Sequence, residues 1–285
     1  MNTLAIDIGG TKFTLALFEE GRITRRESRT TDREAGREWM LQQIETIWHA
    51  WEPAVTLHRC GIGFGGPVDF ERQQAVLSTH ARGWRNFDLP RYAEDLLKVP
   101  VLMDNDANAG ALGEALHGAG KDGARPLFYL TLSTGVGGGI VFNDSRVYRG
   151  ADSWAGEIGH VTIQPDGPPC LCGARGCLER LCSGLWLERD FGQPADELMR
   201  NAEFVERYVV NLAAGLKTVV MLLNPARIVV GGGIAKAGET LFAPLRAELR
   251  RQVTGWSGAR LDVVPARLGD DSVLWGAFAL ASGAG

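Results

Sequence analysis

Short apolar runs broken by glycine turns alternate with longer amphipathic stretches along the chain. Thr3–Ile8 reads as a strand, Gly9-Gly10-Thr11 as a turn and Phe13–Phe18 as a second strand, so a hairpin is expected. A helix is expected from about Glu34 to Trp51. Cys60–Phe64 predicts a strand running into the turn Gly65-Gly66-Pro67, Val101–Asp104 another strand, and Asp106 to about His117 a helix rich in Ala, Leu and Glu. From Arg125 the plan restarts: strand Leu127–Leu132, a turn over Ser133–Gly138, strand Gly139–Phe142. Later come an amphipathic helix over Val205–Leu223, a strand Arg227–Val230 ending in Gly231-Gly232-Gly233, a helix Gly238–Val253, a strand Leu261–Val264 and a helix Ser272–Ala281. Strands and helices interleave throughout, which makes the class α/β. The repeated strand, glycine turn and strand predict two related halves packed around a cleft, and no segment reads as a linker.

Composition narrows the function. The net charge of −4 comes with no basic stripe, which argues against a nucleic-acid partner. No apolar run reaches membrane-spanning length, so no membrane partner is expected. The 37 glycines cluster in turns, where they permit tight bends or close approach of backbone to a ligand. Five cysteines, an odd number, and no apolar N-terminal segment fit free thiols in a reducing compartment, and hence a soluble cytoplasmic enzyme.

The densest chemistry lies between Gly156 and Glu179. Gly156-Glu157-Ile158-Gly159-His160 is followed by Cys170-Leu171-Cys172 and Cys177-Leu178-Glu179. One His and three Cys form a complete tetrahedral ligand set for zinc with no open position, which is a structural site. The alternatives are a zinc knuckle with no ligand nearby and a disulfide cluster. Cys60 and Cys182 remain over. Cys182 is near enough in sequence to rival the other ligands, although most lone cysteines are small buried hydrophobes. Glu157 and Glu179, held on one rigid loop, suit a hydroxyl-rich ligand.

Two Gly–Thr turns, one in each half, offer unobstructed N–H groups and hydroxyls of the kind that hold polyphosphate. Each turn alone is equally explained by a hairpin's need for glycine. Gly231-Gly232-Gly233 presents bare backbone on which a nucleobase or ribose would lie. Neither the P-loop pattern nor the dinucleotide fingerprint occurs in its required context. Asp7, ending the first strand, would hold Mg²⁺ near phosphates, or else accept turn N–H groups. Lys12 is a point charge for phosphate or a solvated strand residue. Asn105-Asp106 joins a strand to a helix, where an Asp N-cap is commonplace. The alternative is that Asp106 is a general base, and phosphoryl transfer to an alcohol needs little beyond a base, a metal and a phosphate cradle.

Asp7-Ile-Gly-Gly-Thr-Lys12, Asn105-Asp106-Ala-Asn-Ala, Gly156-Glu-Ile-Gly-His160 and Cys170-x-Cys-Gly-x-x-Gly-Cys-x-Glu179 occur in that order. Together they resemble the bacterial ROK family of sugar kinases and related repressors, which includes ATP-dependent glucokinases. The resemblance covers nearly the whole chain. It implies a two-lobed, actin/hexokinase-like (ribonuclease H-like) α/β fold with an interlobe cleft and a structural zinc loop. Residues 1–117 with the helix 272–285 would form the small lobe, and 118–271 the large lobe with the zinc loop. The implied assembly is a homodimer or a dimer of dimers. The implied reaction transfers the γ-phosphate of MgATP to a hexose, first of all to the 6-hydroxyl of glucose. Fructose, mannose, allose and the N-acetylhexosamines are alternatives.

By the same resemblance Asp106 is the catalytic base. Asn105, Asp106, Glu157, His160 and Glu179 bind sugar hydroxyls, with Gly66 in a turn beside the sugar. Asp7, Gly9, Gly10, Thr11, Lys12, Thr134 and Gly135 serve the phosphates and Mg²⁺, and Gly232 and Gly233 face the adenosine. His160, Cys170, Cys172 and Cys177 bind zinc. His160 can do both of its jobs, since a metal on one ring nitrogen leaves the other as an N–H donor. The chain departs from the family at Ser78–Trp84, where His80 stands near an expected Asn, and at Gly65–Asp69, where a Pro-Gly pairing is more usual. The segment after Gly184 looks short. Trp84 and Trp154 would line the pocket or belong to the core. A non-catalytic sugar-sensing regulator is the rival of another class. Related repressors carry a helix-turn-helix domain ahead of a first strand that here begins at Thr3, and a sensor has no need of Asp106. An acyl-phosphate-forming kinase is a third option, but paired carboxylates on a metal loop suit polyols better.

Overall fold

Two β-sheets, each begun by a hairpin, organise the chain in a computed structural model that describes residues 1–51, 56–78, 81–258 and 260–285. The first part is an antiparallel meander, β1 (Thr3–Ile8), β2 (Lys12–Glu19) and β3 (Arg22–Thr30). Helix α1 (Gly36–Trp51) leads to β4 (Arg59–Phe64), followed by the short hairpin β5 (Val68–Asp69) and β6 (Gln74–Ala75). Helix α2 (Leu89–Leu97) leads to β7 (Val101–Asn105), which passes directly into α3 (Asp106–Leu116). β4 lies parallel to β1 and β7 parallel to β4, so the sheet order is β3-β2-β1-β4-β7. Helix α1 buries Met40, Leu41, Ile44 and Ile47 at helical spacing, against Leu4, Ile6, Phe13 and Leu15 of the sheet. Each such aliphatic side chain contributes about 1.5–3 kcal/mol on full burial. Trp84 joins this core at 1% exposure, edge-on to Phe64.

The second sheet repeats the plan with β8 (Leu127–Leu132) and β9 (Val136–Val141) as its hairpin. Helices α4 (Leu178–Cys182), α5 (Gly184–Phe191), α6 (Ala195–Leu198) and α7 (Ala202–Leu223) follow. Then come β10 (Arg227–Gly231), α8 (Glu239–Gln252) and β11 (Val263–Pro265), giving the order β11-β10-β8-β9. The last helix, α9 (Ser272–Ala281), returns to the first sheet and packs on β1 and β4.

Helices α3 and α9 pack on one another, with α3 also on β8 and β9. Glycine makes this seam possible. A Cβ on Gly276 would sit 1.7 Å from the Ala109 carbonyl, and one on Gly61 1.9 Å from that of Ala277. The same crowding corrects the expected turn over Ser133–Gly138. The turn ends at Gly135, and Gly137–Gly139 lie inside β9 because α3 and the Gly156 backbone press on that strand. A Cβ at Gly139 would meet the Ala107 carbonyl at 2.5 Å. β11 begins at Val263, two residues later than the apolar run suggests, and α7 begins at Ala202, where the Asn201 side chain caps it.

Candidate active site

The carboxyl ends of β1, β4 and β7 open side by side onto a cavity of about 780 Å³ between the sheets. Open α/β sheets bind ligands at such strand ends. Register sets the floor: Asp7 is paired with Gly63, and Gly63 with Asp104, so Asn105 and Asp106 follow at the same edge. The cap of α3 is Asn105, not Asp106. Its Oδ1 accepts from the N–H groups of Ala107 (2.9 Å) and Asn108 (3.3 Å), and its Nδ2 donates to the Gly66 carbonyl (3.0 Å). Asp106 lies in the first turn, with Oδ1 accepting from Ala107 N at 2.8 Å. Burial pushes its carboxyl up to about 6, and the negative charge of Glu157 adds to the shift. Asp7 is pushed further, to about 8, by burial and then by Asp106, with Lys12 opposing. The turn N–H of Gly9 goes to the Lys12 carbonyl at 3.0 Å. Two acidic groups facing each other in a low-dielectric floor are a natural seat for a cation.

The support beneath this floor lay outside the sequence reading. Asp104, 3% exposed, accepts from Asn108 Nδ2 (3.0 Å), Asn105 N (2.8 Å) and Arg149 Nε (2.9 Å). Arg149 in turn lies 3.5 Å from the centre of the Phe70 ring. A buried acid beside the predicted base was visible as Asp104-Asn105-Asp106, but its partner Arg149 is distant in sequence.

The two Gly–Thr turns meet across the cavity, with the Thr11 and Thr134 hydroxyls 2.8 Å apart. Gly9, Gly10, Gly135, Gly232 and Gly233 line the same space. Gly232 has φ of +88° and abuts the Leu132 carbonyl, so no other residue fits there without strain. Lys12 is not simply solvated. Its Nζ lies 3.2 Å from Asp270, whose other carboxylate oxygen is 2.8 Å from Lys236 Nζ. Hydrogen bonding from Lys236 holds the Asp270 carboxyl below its usual range. Both Lys236 and Asp270 line the cavity and were missed in the sequence. Their only signals were a lysine just after the triple glycine and an acidic pair before the last helix.

His160, Cys170, Cys172 and Cys177 converge, their ligand atoms all within 4.8 Å of one another. Cys172 and Cys177 Sγ are 3.6 Å apart, close to the ~3.8 Å edge of a tetrahedron with Zn–S bonds of about 2.3 Å. Tight backbone bonds shape the loop, with Cys170 N donating to Ala174 O and Gly173 N to Cys170 O. The donor set and spacing fit zinc. All five cysteines are free. Cys182 is no rival ligand, since it lies at 0% exposure in the core beneath α7, and Cys60 is equally buried beside β1.

Glu157, His160 and Glu179 carry this loop into the cavity that holds Asp106. His160 Nε2 is 3.9 Å from Glu157 Oε2, and burial raises the Glu157 carboxyl above its usual range. Glu179 Oε2 accepts from the N–H of Val136 at 2.9 Å. All the residues expected at the sugar and nucleotide therefore share one cavity, and among the four proposed metal ligands Cys170 and Cys177 stand behind it. Trp84 and Trp154 do not line it. His80 lies outside the described residues.

A model of the ROK family matches residues 3–284. The glucokinase of Thermotoga maritima is 31% identical, over 98% of this chain and 97% of its own. The ROK hexokinase from Thermus thermophilus has a TM-score of 0.84 and 35% identity, covering 99% of this chain and 98% of that one. A ROK family glucokinase from Streptomyces griseus, in complex with glucose and AMPPNP, has a TM-score of 0.85 and 29% identity, covering 99% and 100%. By sequence and by fold, then, the chain belongs to the ROK family and has the architecture of its sugar kinases.

Proposed function

We propose that this sugar kinase transfers the γ-phosphate of MgATP to a hexose, with the 6-hydroxyl of glucose as the first candidate acceptor. One observation carries the reading: Asp106, a half-buried acid with a pKa near 6, shares a single cavity with two facing Gly–Thr turns and with Glu157, His160 and Glu179. In its ionised form Asp106 accepts the proton of the sugar hydroxyl as that oxygen attacks phosphorus, and the nucleoside diphosphate leaves. Asn105, fixed by the helix cap and by Gly66, presents its amide beside the base. Glu157 and Glu179 accept from sugar hydroxyls, and His160 donates. The turns at Gly9–Thr11 and Thr134–Gly135, with Lys12 and Lys236, receive the phosphates, and Gly232-Gly233 the adenosine. Asp7 would hold Mg²⁺, which spreads phosphate charge. His160, Cys170, Cys172 and Cys177 would hold structural zinc.

The relatives support a two-lobed, actin/hexokinase-like division, with residues 1–117 and 272–285 forming the small lobe and 118–271 the large one. Family resemblance further supports a cytoplasmic homodimer or dimer of dimers, which sedimentation of the purified protein tests. Acceptor identity is tested by a coupled assay with ATP, Mg²⁺ and a panel of hexoses. Glucose is expected to give the highest kcat/KM. A higher value for mannose, fructose, allose or an N-acetylhexosamine reassigns the acceptor, and absence of ADP with every sugar refutes the kinase reading.

A further inference from the structure

The phosphate turn of the second half rests on the metal loop. Glu179 is the second residue of α4, two positions after the ligand Cys177. Its carboxylate lies against the β8–β9 turn, where Oε2 accepts from Val136 N at 2.9 Å. A Cβ on Gly135 would stand only 2.8 Å from that oxygen, so Gly135 is needed as much for the carboxylate behind it as for a phosphate in front. The start of α5 grips the same turn from the other end: Gly184 N donates to Ser133 O at 2.8 Å and Leu185 N to Thr134 O at 3.2 Å. Thr134 then meets Thr11 of the opposite turn. Direct contacts thus run from the cysteine cluster through Glu179 to both Gly–Thr turns.

We propose that Glu179 is a positioning residue for the Ser133–Gly135 phosphate turn, so that the metal loop sets nucleotide affinity as well as sugar affinity. The proposal rests on the reading that these turns hold the nucleotide's phosphates. The Glu179 oxygen at 2.9 Å satisfies the Val136 N–H, a donor that is costly to leave unpaired inside a folded turn. Without it Val136 N–H loses its partner, and the turn must be reordered each time a nucleotide binds. That cost appears in nucleotide affinity even when no sugar is present. A carboxylate serving sugar hydroxyls alone would not produce it.

The test is calorimetric titration of MgAMPPNP into the intact protein without sugar, with circular dichroism confirming the fold of each variant. Glu179→Ala removes the acceptor, and Glu179→Asp keeps the charge but withdraws it by one methylene. Both are expected to raise the nucleotide Kd about tenfold, equivalent to about 1.4 kcal/mol. Glu179→Gln keeps an oxygen at the same reach and is expected to stay within about twofold of the parent, while its sugar affinity falls. Metal removal by a chelator should weaken nucleotide binding by the parent and have little further effect on Glu179→Ala. If Glu179→Ala does not fold, the contrast between the Asp and Gln variants decides the matter. Parent-like nucleotide affinity in both Glu179→Ala and Glu179→Asp, or in Glu179→Asp if the Ala variant does not fold, overturns the inference and leaves the kinase reading intact. Failure of the parent to bind MgAMPPNP defeats the kinase reading and this inference with it.

Discussion

Asp106 is a carboxylate held at a cost, and two experiments read that cost. With its pKa near 6 it is half-protonated in mildly acidic buffer, and only the ionised form accepts a proton from an alcohol. The kcat/KM of the parent should therefore climb as pH rises through about 6 and then level. Asp106→Asn should lose about 10²–10⁴ in kcat while sugar affinity stays within a few-fold; a kcat close to the parent's would remove Asp106 from the role of base. Stability moves the other way with pH. Asp7 ionises with a pKa near 8 in the fold, against 3.8 for an ordinary Asp carboxyl, so between these values the folded chain binds more protons than the unfolded one. The stability it contributes is fully present below about pH 4 and is lost as pH rises through 8. In ligand-free protein Asp7→Asn should accordingly raise Tm by several degrees at about pH 8 and by almost nothing near pH 4, as thermal melts at the two pH values would show. At this scale the sequence carried a good deal: Asp7, Asn105, Asp106 and Glu157, singled out from separate motifs, all line one cavity. The salt-bridged trio of Lys12, Asp270 and Lys236 was hidden, because nothing local in a sequence pairs residues so far apart.

Elements were readable where their burial follows a period. β1, β8 and α9 match their expected limits because one face or the whole strand is buried. β3 was invisible for the opposite reason. Its sequence, RITRRESRT, has no buried residue, and as an edge strand it gains from charge that discourages pairing with other chains. α2 was missed despite Asp88 at its cap and Pro90 in its first turn, since it is only nine residues long with loops on both sides. Helix α3 owes its placement to Glu114, a fully buried acid whose carboxylate accepts from the backbone of Ala119, Arg267 and Leu268 and from the Ser272 hydroxyl. It thereby ties the helix that starts at Asp106 to the segment carrying Asp270 and to the start of α9. Glu114→Ala would strand three backbone donors, each worth about 1–3 kcal/mol when buried and unpaired. A loss of folding, or a drop in Tm well beyond ten degrees by calorimetry, is expected; a parent-like melt would show that the seam holds without it.

Across the whole molecule, the cysteine loop reaches both parts of the cavity proposed for the substrates. Its cluster of one histidine and three cysteines was evident from residue types alone, and so was the nearness of two glutamates. Its contact with the β8–β9 turn was not, because Glu179 meets Val136 only after the chain has folded over forty intervening positions. Stripping the proposed zinc should weaken sugar binding at least tenfold and lower Tm, since a metal on His160 and the three cysteines would clamp the loop that carries Glu157 and Glu179. Isothermal titration with glucose before and after chelation checks this, and unchanged affinity in verified metal-free protein would count against a structural metal.

The route of the chain has a further consequence for its birth on the ribosome. Ala5, Ala16 and Phe18, on the strands made first, are covered by Leu274 and Ala277, and Phe18 stacks on Phe278. Those partners belong to the final helix, synthesised after the entire second sheet. A nascent hairpin without α9 would therefore display a bare apolar flank, a ready handle for a chaperone, and the first sheet would be completed only once α9 emerges.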